Sequence, residues 1–142
     1  MAESLIIIPS ILLGVLIGLY EALLVHRDVT VPTHRFGHMI HALLFAVAAT
    51  FASMNVSFVL SYLPSVQAIS WLSNDLIIRL IIGVVAVIKI HAASKVIQGT
   101  IGAGSVGLAE RWSHSLIIGV LIVAAPYVYP FVQNSLPDWA RR

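Results

Sequence analysis

The chain alternates long apolar runs with short polar interruptions. Four runs, over approximately 5–25, 36–63, 76–96 and 113–132, are each near the roughly 20 residues that cross a bilayer as an α-helix. Between them lie HRDVTVPTHR, PSVQAISWLSND and IQGTIGAGSVGLAER, and the chain closes on NSLPDWARR. Short connections make successive helices antiparallel neighbours. The pattern therefore predicts an all-α fold, a polytopic integral membrane protein in which residues 1–142 form a single transmembrane domain, a four-helix up-down bundle. Both termini then share one side of the membrane, and the first and third connections share the other.

Composition strengthens this reading. Hydrophobic residues make up 59% of the 142 positions and charged residues 10%, where a soluble domain carries about 25% charged. Mean hydropathy is +0.98. Lipid is thus the expected solvent for most of the chain. The net charge of +2 is small and scattered, with no basic block to follow a phosphate backbone, so nucleic acid is excluded as a partner. Without cysteine there are no disulfides, thiolate metal sites or thiol nucleophiles. The amino-terminal MAESLIIIPS lacks the basic residues of a signal peptide, and its apolar run is expected to be a retained helix.

Trp112 marks one end of the spans, and Trp71 and Trp139 the other, as interfacial aromatics do. Arg27, Arg35, Lys95 and Arg111 gather on the side of the first and third connections, against Arg79, Arg141 and Arg142 opposite. By the positive-inside rule the termini are then non-cytoplasmic. Pro9, Pro126 and Pro130 fall inside spans, where neighbouring helices can satisfy the freed carbonyls and a bend is expected.

Candidate chemistry is concentrated near one end. GAGSVG, residues 102–107, matches G-x-G-x-x-G, but the strand and parallel sheet that give that motif its chemistry are absent, so it reads as a glycine-rich loop. Gly14 and Gly18 form a GxxxG on the first span, a surface for close helix approach, and Glu21 and Val25 continue the same face. Glu21 is then placed in a helix contact, or reaches water or Arg27 from near its helix end.

In THRFGHMIH, His34, His38 and His41 fall within about 60° of one another on the second helix. Phe45, Ala48, Ala52 and Asn55 continue that sector, which predicts an inward face with His38 and His41 pointing into the bundle. Glu21, His41 and His91 lie at comparable depth from the same end, with His34 and His114 as accessories. Glu21, His38, His41 and His91 are therefore candidate ligands for a metal ion, and His41 with His91 for a bis-histidine haem b. Histidines hydrogen-bonded to one another and to interfacial water account for the same pattern.

The third span carries Arg79, Lys89, His91 and Lys95. Lys89 projects about 160° from His91, and Arg79 shares a small-residue stripe with Gly83, Ala86 and Ala93. Polar groups in several directions predict that this helix contacts protein on more than one side, unless its lysines snorkel to the headgroups. Gly14, Gly18, Arg79, Gly83 and Lys89 are the expected packing or partner contacts.

Three functional readings follow. The leading one is a small integral subunit of a homo- or hetero-oligomeric membrane complex, surrounded by lipid and touching other membrane subunits or copies of itself. A second is a metal- or haem-binding electron-transfer protein, and a third a small proton or ion conductor. No spacing assembles a catalytic constellation, so an activity would belong to a complex such as a membrane oxidoreductase, with this chain as a subunit.

Overall fold

The computed structural model describes residues 4–28, 32–95 and 111–141. The described residues are 84% helix, with no strand among them. Four long helices dominate: α1 (Ile8–Asp28), α2 (Pro32–Met54), α5 (Asp75–Lys95) and α6 (Trp112–Val132). Two short ones, α3 (Val56–Ser61) and α4 (Pro64–Gln67), connect α2 to α5. The GAGSVG segment lies outside the described residues, as does the side chain of His34 in the first turn of α2.

Three stretches are long and apolar enough to cross a membrane: Ile8–Arg27, Phe36–Met54 and Trp112–Ser135. Their length and composition suit a membrane protein. The helix α5 has comparable length, 21 residues, but carries Asp75, Arg79, Lys89 and Lys95.

Small residues set the helix contacts. A Cβ on Gly14 would lie 2.7 Å from the Val47 Cα, and one on Gly18 would lie 3.0 Å from the Leu43 Cα. The glycine face of α1 thus packs backbone to backbone on α2, and the descending order of the α2 partners makes the pair antiparallel. Gly83 and Gly119 repeat the device between α5 and α6, where a Cβ on either would come within 3.3 Å of the other's carbonyl oxygen. The stripe of Gly83 and Ala86 is accordingly buried within this chain.

Three apolar clusters fill the bundle among the described residues, the smallest being Val25 and Ala42 with Met39 between α1 and α2. Leu24, Ala86, Ile90, Ile118 and Ile122 pack with Ile17, Ala49 and Ile82, joining all four long helices. Met54, Ala125 and Tyr129 pack with Ile6, Leu13, Ile17 and Leu136, so both ends of the described chain meet at one end of the bundle. There the Tyr129 hydroxyl donates to the Arg141 carbonyl at 3.1 Å, folding the chain's last described turn under α6.

The expected second span, 36–63, is interrupted at Asn55. This residue leaves helical geometry (φ −107°, ψ 15°), and its buried amide is used elsewhere. Its Oδ1 accepts the Ile6 N–H at 2.7 Å, while Nδ2 donates to the carbonyls of Ile6 (3.0 Å) and Phe51 (2.9 Å). Asn side chains compete with the helix for backbone groups, and here the winning partner is the extended segment before α1. Pro9 lies inside the first of the three membrane-length stretches, in its opening turn. It is the second residue of α1, where a missing N–H costs nothing. Pro126 and Pro130 lie within α6, which continues through both.

Candidate functional site

Polar side chains occupy three distinct places: the bundle interior, the end of the α5/α6 seam, and the seam between α2 and α5.

Glu21 is in the interior and is 0% exposed. Its helical neighbours Ile17 and Leu24 both pack in the cluster with Ile118 and Ile122. Thr50, Ser53 and Ser115 are the other buried polar residues along the long helices, besides Ser10 at the first turn of α1 and His91.

His91 is 5% exposed, and an aromatic ring forms part of its cover. Trp112 stacks on the imidazole with centroids 3.7 Å apart and planes 27° from parallel. Trp112 also closes one end of an open apolar groove of about 600 Å³ between α5 and α6, floored by Gly83 and Gly119 and ending at Leu76 and Tyr127. The imidazole is therefore held against α6 by an interfacial aromatic.

His41 lies on the outside of the bundle. It is exposed, tilted against Phe45 at 5.2 Å, and lines a surface groove with Leu44, Phe45 and Ala48. Ala48 and Ala52 on the same face are exposed as well. The face expected to point inward is thus at the surface beside α5 at His41, Ala48 and Ala52, half-buried at Phe45 and buried at Asn55, because α2 turns Leu43, Val47 and Thr50 toward α1 and buries Ala42, Ala46 and Ser53. His38 is half-buried one turn before Ala42, His114 is half-buried in the first turn of α6, and His26 is exposed at the end of α1.

These positions bear on the ligand set. Among the described residues, no three of His, Asp and Glu come close enough together to hold a metal ion. His41 opens onto a surface groove on α2, while the His91 imidazole is stacked on Trp112.

Arg79 makes four side-chain hydrogen bonds, and its side chain is 11% exposed. Its Nε donates to the Ser53 carbonyl (3.2 Å), Nη1 to the Tyr127 hydroxyl (3.0 Å), and Nη2 to Ser57 Oγ (3.1 Å) and Asp75 Oδ2 (3.2 Å). Ser57 in turn donates to the same Asp75 oxygen. One guanidinium so ties α2, α3, α5 and α6 together and neutralises the one acid of α5. Sequence reasoning singled out Arg79 but missed Ser53, Ser57, Asp75 and Tyr127. Only the i, i+4 spacing of Asp75 and Arg79 was there to be read.

Lys89 differs from Arg79. It is exposed on α5, with exposed Val85 and Ile88 beside it.

Comparison with protein-family models, curated proteins and solved structures finds no match to this chain.

Proposed function

We propose that this chain spans the membrane four times, with α5 as the remaining span, and works as a small integral subunit of a larger membrane assembly. Lys89 carries the reading. Of the five residues expected to contact partners, Gly14 and Gly18 pack on α2, Gly83 packs on α6, and Arg79 makes four hydrogen bonds within the chain. Lys89 alone of these faces outward, on a helix whose other outward residues include Ile81, Val84, Val85 and Ile88. A cation at the middle of a span costs about 2.5–3.5 kcal/mol on insertion scales. Lys89 lies six residues, roughly 9 Å, from the end of α5, so snorkelling offsets part of that cost and an anion on a neighbouring chain offsets more.

Counting α5 as a span is supported by Arg79, whose charge is matched by Asp75. The end that holds Ile6 and Leu136 is then non-cytoplasmic by the positive-inside rule. Because the native chain has no cysteine, single-cysteine variants His26→Cys and Asn134→Cys can report the sides. An impermeant maleimide should label the second from outside and the first only after permeabilisation.

The assembly is tested by purification in mild detergent followed by native mass spectrometry. Wild type and Lys89→Arg should carry the same additional chains, and Lys89→Leu should lose them. An unchanged complex in Lys89→Leu would remove the basis of the subunit reading.

A further inference from the structure

The seam between α2 and α5 is an apolar trough with a polar end. Phe45, Ala48 and Ala49 face Ile81, Ile82, Val85 and Ala86 across an open groove of about 280 Å³. A second groove of about 240 Å³, lined by His41, Leu44, Phe45 and Ala48, continues it. Lys89 lies one turn beyond Val85 on α5, and His41 lies one turn before Phe45 on α2.

The two polar residues are level with each other. The groove residues, 45–49 of α2 opposite 81–86 of α5, set the register of the antiparallel pair, and the Arg79–Ser53 hydrogen bond lies further along it. From that point Lys89 is ten residues along α5 and His41 twelve along α2, so their heights differ by only about 3 Å. Both sit inside the apolar zone. His41 is five residues, roughly 7–8 Å, within the apolar stretch that begins at Phe36. Lysine can extend toward the headgroups from such a depth, but an imidazole cannot. Two donors at one buried level suit an anion carried to that depth, which a carboxylate on a helix is and a lipid phosphate is not.

The described residues of a second copy do not supply that carboxylate. Glu21 is sealed inside the bundle, Asp75 is held by Arg79, and Asp138 is beside Arg141 at the opposite end. Asp28 ends α1 eight residues past Tyr20, the α1 position level with His41, and so lies about 12 Å further out.

Resting on the subunit reading above, we infer that the α2/α5 seam seats a transmembrane helix of a different chain. That helix lays apolar side chains against Phe45, Ala48 and Val85 and presents an Asp or Glu to Lys89 and His41.

The test uses the full-length protein in phosphatidylcholine vesicles and a synthetic poly-Leu/Ala transmembrane helix with one Glu at the matching depth. Binding is read by energy transfer and compared with the same peptide bearing Gln. Wild type should prefer the Glu peptide by roughly tenfold or more. Lys89→Arg should keep that preference, and Lys89→Leu should bring the ratio to about one.

Equal binding of the two peptides by wild type overturns the inference, as does a preference that survives in Lys89→Leu. Loss of the preference when phosphatidylglycerol is added assigns the seam to anionic lipid. Lys89-dependent association between labelled copies assigns it to a second copy, and either result overturns the proposal. The peptide assay reads the seam by itself. A native complex unaffected by Lys89→Leu alongside an intact peptide preference would therefore reject the subunit reading and leave the seam chemistry standing.

Discussion

Replacing Asn55 by alanine should unlatch the start of α1 from the break between α2 and α3. The side chain is 2% exposed and makes three hydrogen bonds, two of them to both polar groups of the Ile6 backbone. Such bonds contribute about 0.6–1 kcal/mol each in proteins and in membrane bundles. Their joint loss should cost about 2–3 kcal/mol. The damage falls unevenly within Ile6. Its carbonyl still accepts from the Ser10 hydroxyl, whereas its N–H loses the acceptor it has.

Asn55→Asp sharpens the expectation. An aspartate keeps the acceptor for the Ile6 N–H but turns a carboxylate oxygen toward the carbonyls of Ile6 and Phe51. It should therefore be no more stable than the alanine variant. Equilibrium unfolding in mixed micelles measures the loss, and hydrogen exchange at the Ile6 amide locates it. An alanine variant within about 0.5 kcal/mol of wild type, below a single bond of this kind, would refute the latch. An aspartate variant as stable as wild type would refute it too.

Four further outcomes follow from the packing. Gly119→Ala places a Cβ 3.2 Å from the Gly83 carbonyl and into the Val87 side chain, and should lose about 1–3 kcal/mol in the same unfolding assay. Gly37→Ala in α2 meets nothing within 4 Å and should gain up to about 1 kcal/mol from helix propensity. Arg79→Leu leaves Asp75 with Ser57 alone and should cost about 1–3 kcal/mol, and the double variant with Asp75→Leu should recover part of that in a double-mutant cycle. Trp112→Ala removes part of the cover of His91, so diethylpyrocarbonate should modify that imidazole markedly faster; an unchanged rate would contradict the stacking as part of its cover.

Element type was legible from the sequence, but inward and outward faces were not. The helical sector of His38, His41 and Phe45 is a correct statement about one helix. Whether that sector looks inward depends on where α1 and α5 sit around α2, and single-helix periodicity has no information on this. Gly14 and Gly18 show the opposite case. Missing side chains favour close backbone approach wherever they occur in an apolar helix, so a tight contact was readable before its partner, α2, was known. His91 was marked as a buried polar group, but part of its cover is Trp112, a residue that sequence reasoning assigned to the interface.

The apolar runs by themselves determined helices of membrane-spanning length, because a backbone in hydrocarbon must satisfy its hydrogen bonds locally and runs of about 20 residues leave it little else to do. Only the tertiary structure decided which polar residues are spent and which remain available. Asn55 finds its partner 49 positions away at Ile6, and Arg79 finds Tyr127 48 positions away. Such pairings depend on the relative rotation and register of helices, and many side chains set these together. That rotation used up Arg79 inside the bundle and left His41 and Lys89 facing out.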